Sequence, residues 1–90
     1  MAKNRRNLKK FVNYITSELL AEIYYIQYYN PDVDKQQLNE VFTRIAKAQN
    51  EFVSRISHTE PGNVKGFYKK LKSDFNTEVS EIIDQLNTLN

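Results

Sequence analysis

Tyr28-Tyr29-Asn30-Pro31-Asp32-Val33-Asp34-Lys35-Gln36-Gln37-Leu38 is the stretch of this 90-residue chain that decides its fold. Pro31 cannot continue a helix and biases Asn30 away from helical backbone, so a helix ends here. Asp34 followed by Gln37 has the spacing of a capping box, so another helix begins within a few residues. A connection this short forces the two helices to run antiparallel. Glu60-Pro61-Gly62-Asn63 repeats the punctuation thirty residues later, with Asn63 as the predicted cap of a third helix.

Working outward from these turns, apolar residues recur at three- and four-residue spacing in three segments of similar length. Residues 7–29 carry Leu8, Phe11, Val12, Ile15, Leu19, Ile23, Ile26 and Tyr29 on one stripe. Residues 34–58 carry Leu38, Val41, Phe42, Ile45, Ala48, Phe52, Val53 and Ile56, and residues 63–89 carry Val64, Tyr68, Leu71, Phe75, Val79, Ile82, Leu86 and Leu89. The pattern predicts an all-α fold: a single up-down-up three-helix bundle with short connections, preceded by a basic, flexible tail at residues 1–6.

Composition agrees with that class and narrows the function. Hydrophobic residues make up 40% and charged ones 27%, with two Gly, two Pro and no Cys, as in a soluble helical protein held together by packing alone. A chain this short has enough surface to bury for one modest core, not for a core plus a deep substrate cavity. The basic start has no apolar run behind it, because Glu18 and Glu22 interrupt the only candidate, and the uncharged residues 23–31 are too few to span a bilayer. These features predict a cytoplasmic protein with neither secretion nor membrane insertion.

Catalytic chemistry has little to build on. His58 is the lone histidine; near the end of the second helix it suits the helix dipole and the last carbonyls. Gly62 and Gly66 belong to a turn and a helix start rather than to a phosphate-binding loop. Glu22 and Glu78 fall at the same height as Arg44, where two carboxylates and a guanidinium would make either a cation site or a structural ion pair at the core rim. We favour the ion pair, and expect no catalytic residue, metal or cofactor. Gln49 occupies a core-facing position and is expected to fix helix register through a hydrogen bond.

Two surface features point to partners. At 100° per residue Leu20, Tyr24 and Tyr28, flanked by Ala21 and Tyr25, project away from the stripe of the first helix. A helix apolar nearly all round needs burial on two sides, and tyrosine supplies rigid apolar area with a water-tolerant tip. This face is therefore expected to form a homodimer interface or to receive another protein. Charge is also segregated: residues 1–14, 47–58 and 59–72 carry +5, +1 and +3, whereas 15–46 and 73–90 carry −3 and −4. The up-down-up order gathers the positive segments at one end. Arg5, Arg6, Lys9, Lys10, Lys65, Lys69 and Lys70 there offer an alternative function, binding of nucleic acid or another polyanion. The turn at residues 59–63 lacks a helix-turn-helix signature, and nucleic acid is the less favoured partner.

Asn4-Arg5-Arg6-Asn7-Leu8-Lys9-Lys10 with Asn13-Tyr14-Ile15 and Ser17-Glu18-Leu19, the segment from His58 to Gly62, and Phe75-Asn76 with Val79-Ser80-Glu81-Ile82-Ile83-Asp84-Gln85 resemble a small family of uncharacterised helical proteins from Bacteroidetes. The resemblance spans nearly the whole chain and implies a helical fold. It implies no activity, ligand or catalytic residue. A non-enzymatic interaction protein that self-associates through helix one is thus the expectation carried forward.

Overall fold

The computed structural model describes residues 5–58, 62 and 64–89. Three helices account for almost all of them: α1 (Arg5–Tyr29), α2 (Lys35–Ser57) and α3 (Val64–Asn87), with no strand among the described residues. α1 packs antiparallel to α2, and α2 antiparallel to α3, in a rod of 50 × 17 × 16 Å. This is the up-down-up bundle the periodicity predicts. Arg5 and Arg6 are already helical, so the expected basic tail is shorter than six residues; its residues 1–4 lie outside the described residues, as does the predicted cap Asn63.

The α1–α2 turn forms as its sequence dictates. Asn30 N–H donates to the Ile26 carbonyl at 2.8 Å and closes α1, and Val33 N–H donates to the Asn30 carbonyl at 3.0 Å. Asp34 Oδ1 accepts from the N–H of Gln36 at 2.9 Å and of Gln37 at 3.3 Å, satisfying two of the orphan donors at the start of α2. Val33 and Leu38, which flank that first turn, are buried in the same cluster and make a hydrophobic staple. Asp34→Ala is expected to lower stability by about 1 kcal/mol, read as a shifted urea midpoint at unchanged slope; Asp34→Asn, which keeps an acceptor, should recover most of it.

Two core clusters stack along the rod. The acidic end is aliphatic, built from Leu19, Ile23, Ile26, Leu38, Val41, Ile45, Ile82, Leu86 and Leu89. The basic end is aromatic: Leu8, Val12, Ala48, Phe52, Ile56, Tyr68, Leu71 and Phe75. There the Phe75 ring meets Phe52 edge-on at 5.1 Å and Phe11 at 6.0 Å, so one side chain of α3 joins both other helices.

Some stripe residues lie outside the core. Phe11, Tyr29 and Phe42 are exposed because each sits at the margin of its helix's apolar face and a bundle of three helices buries only about a third of each circumference, and Val64 is exposed as the first residue of α3. Thr16 takes a core place the periodicity does not award it. Its hydroxyl donates to the Val12 carbonyl at 3.0 Å and lies 3.1 Å from that of Asn13, so burial leaves no polar atom unmatched.

Candidate association surface

α1 presents its outer side to solvent as a row of aromatic rings. Phe11, Tyr14, Tyr24, Tyr25, Tyr28 and Tyr29 are between 51% and 79% exposed. Tyr25 and Tyr29 rings lie 4.5 Å apart, and Tyr28 stands edge-on to Tyr29 at 4.9 Å. The helix places them there because the core claims Leu8, Val12, Thr16, Leu19, Ile23 and Ile26, and the ring-bearing positions fall mostly on the opposite side.

The expected interface residues divide into two groups. Ala21, Tyr25 and Tyr28 are exposed on the outer side. Leu20 is half-buried and packs against the aliphatic cluster, so it does not project wholly outward as helix geometry alone suggests. It lies about 100° from Leu19, on the flank turned to α2. Tyr24 shares that flank and, with Phe42, lines a shallow depression of about 300 Å³ between α1 and α2. Tyr14 and Phe11 extend the exposed row toward the basic end, and the sequence reading missed them as surface residues. Their three- and four-residue spacing to Glu18, Ala21 and Tyr25 is the signal that could have found them.

Elsewhere the grooves are structural in character. Between α2 and α3, Arg44 Nε donates to Glu78 Oε2 at 2.8 Å, and its terminal nitrogens donate to Glu81 at 2.6 Å and to Gln85 at 3.1 Å. Hydrogen bonds to Glu78 and then Glu81 hold the guanidinium pKa above its ordinary value. Glu22 is exposed on α1, so the arrangement expected of Glu22, Glu78 and Arg44 forms with Glu81 and Gln85 in place of Glu22. Glu78, Glu81 and Gln85 share the α2-facing flank of α3, and Arg44 reaches all three.

Further along, Arg55 donates to Asp74 at 3.0 Å and stacks over Phe52 at 5.1 Å. Lys70 adds a contact to Asp74 at 3.3 Å. Arg55 first, and Lys70 with it, keep the Asp74 carboxyl below the usual carboxylate range. Gln49 Nε2 donates to Asn13 Oδ1 at 2.8 Å and pins α2 against α1 from the rim rather than the core. His58 Nδ1 lies 2.8 Å from the Ser54 carbonyl, as expected of an imidazole closing its own helix. Among the described residues no three acidic or imidazole groups gather as a metal site, and no helix is long and apolar enough to cross a membrane.

Of the seven basic side chains expected to bind a polyanion, Arg5, Arg6, Lys10, Lys65, Lys69 and Lys70 are exposed and Lys9 is half-buried. They ring the end of the rod rather than share a face. At 100° per residue Arg5, Arg6, Lys9 and Lys10 spread from the α2 flank of α1 to its outer side, whereas Lys65 and Lys69 lie on the α1 flank of α3 and Lys70 faces away. Between α1 and α3 runs an apolar groove of about 500 Å³, floored by Leu8, Phe11, Val12, Leu71 and Phe75, with Lys72 the one charged side chain among the described residues that line it. No protein-family model matches this chain, and no curated protein or solved structure matches it either.

Proposed function

We propose that this protein is a non-enzymatic helical association module of the cytoplasm that pairs with a second copy of itself through the outer side of α1. The observation that carries the reading is the row of exposed aromatic rings on a helix whose opposite side already fills the core. The contacting rings of Tyr25, Tyr28 and Tyr29 form a cluster rather than the scattered single apolar residues normal on a monomer, and aromatic residues are enriched where partners meet. Ala21, Tyr25 and Tyr28 form its centre, with Tyr14 and Phe11 toward one end and Tyr24 with Leu20 on the flank. Sedimentation over the low to high micromolar range tests it: the mass should rise from 10.6 kDa toward twice that value. A constant monomer mass would end the proposal.

A second reading has one observation in its favour. The first turns of α1 and α3 carry no acid, and both begin at the end where Arg5, Arg6, Lys65 and Lys69 stand, a layout that suits a polyanion better than it suits the helix dipoles. It ranks second because the bases are dispersed around that end and Lys70 is engaged with Asp74. Binding to heparin or duplex DNA that falls steeply between low and moderate salt would support it. No binding at low ionic strength would dispose of it.

A further inference from the structure

Along the outer side of α1, Phe11, Tyr14, Glu18, Ala21, Tyr25 and Tyr28 follow one another at intervals of three, four, three, four and three residues. All six are exposed. This is the spacing of a coiled-coil seam, and it lies on the side of the helix away from the buried stripe. The helix therefore carries two apolar faces, one spent on α2 and α3 and one unspent except at Phe11, whose half-exposed ring also meets Phe75 of α3.

The unspent seam reads nearly the same in either direction. When a second copy lies antiparallel across it, Phe11 comes opposite Tyr28, Tyr14 opposite Tyr25, and Glu18 opposite Ala21. Large rings meet large rings at both ends. At the middle the small Ala21 leaves Glu18 space to turn its carboxylate toward water. A parallel pairing would instead set Glu18 against its own copy, a like-charge contact in the centre of the seam.

Charge points the same way. From Arg5 to Ser17, α1 holds the bases Arg5, Arg6, Lys9 and Lys10 and no acid; from Glu18 through the turn to Asp34 the chain holds Glu18, Glu22, Asp32 and Asp34 and no base. Antiparallel alignment brings Asp32 and Asp34 of one copy to the level of Arg5, Arg6 and Lys10 of the other, at both ends of the seam at once. Parallel alignment opposes like charges at both ends.

We infer that the occupant of this face is a second copy of the chain, docked antiparallel about a twofold axis that passes between Glu18 and Ala21. The inference rests on the self-association proposed above and gives it an orientation and a register. Rings on this scale, more than half exposed, offer roughly 600 Å² per copy, or about 1,200 Å² for the pair, the lower edge of a specific interface. The contact is closed and self-complementary, so it stops at two copies rather than growing into a filament.

The chain has no cysteine, so single substitutions report on geometry without background. Tyr14→Cys and Tyr25→Cys, each made in the full chain, are oxidised alone and as an equal mixture, with masses read by mass spectrometry. The antiparallel register predicts roughly tenfold more mixed disulfide than either homotypic product, because only opposed positions bring their Cβ atoms within bonding reach. Glu18→Cys mixed with Ala21→Cys should also cross-link, and this pair removes no ring. Homotypic disulfides at both Tyr14→Cys and Tyr25→Cys would establish a parallel pair and overturn the register while leaving self-association intact. A dimer by sedimentation without any of these disulfides would place the interface elsewhere and overturn the inference. A monomer for the wild type at every concentration would remove the reading beneath it as well.

Discussion

Phe75→Ala is expected to destabilise the bundle by about 3–5 kcal/mol, a large share of the roughly 5–15 kcal/mol typical of a domain. The side chain is almost wholly buried. Its ring touches Phe52 of α2 and Phe11 of α1, and truncation would leave a void that neither helix can fill without moving the other. Phe75→Leu keeps most of the volume but loses the edge-on ring contacts, and should cost markedly less. Urea unfolding followed by far-ultraviolet circular dichroism distinguishes the two. Low micromolar protein is the right regime, because association stabilises the folded state by mass action.

Ile45→Ala should cost about 2–5 kcal/mol, and Ile45→Val about 0.5–1.5 kcal/mol. Ile45 is fully buried at the centre of α2, within the aliphatic cluster that takes residues from all three helices. A graded series at one site separates burial from helix propensity: Ala is the stronger helix former, so a local effect would reverse the order. The same urea titrations check it, and Ala more stable than Val would contradict the packing described here.

The three helices and the α1–α2 turn were legible because apolar spacing and Pro-Asx punctuation act locally and agree with each other. The margins of the faces were not. Spacing puts Phe11 on the stripe of α1 and Leu20 away from it, yet Phe11 is half exposed and Leu20 packs inward. Which flank closes depends on how tightly each neighbour packs, and the α1–α3 side remains open as a groove. Thr16 escaped notice because its polarity argues for the surface, and only the backbone carbonyls one turn earlier make its burial affordable. Arg44 was placed in an ion pair correctly, but its second carboxylate comes from Glu81 rather than Glu22, since the guanidinium turns toward α3.

The exposed aromatic side of α1 was only partly legible. Helical projection found Ala21, Tyr25 and Tyr28 on the outer side, where they are exposed. It centred the patch on Leu20, Tyr24 and Tyr28, of which Tyr24 and Tyr28 are exposed and Leu20 is shifted inward against the aliphatic cluster. That shift decides which variant is informative. Leu20→Glu would disturb the core together with any interface, so a lost dimer could not be assigned to either cause.

Ala21→Glu combined with Tyr25→Lys avoids the difficulty. Both residues are exposed, and the new Glu and Lys stand four residues apart in the order that supports a helix. The fold should survive while the seam acquires a charge where Ala21 meets Glu18 and another among the rings. Sedimentation equilibrium of wild type and this variant, side by side at matched high micromolar concentration and with circular dichroism to verify folding, is the most direct test. The account predicts a wild type approaching twice 10.6 kDa and a folded variant that stays at that mass. Equal masses for the two proteins, whether both monomeric or both dimeric, would contradict it.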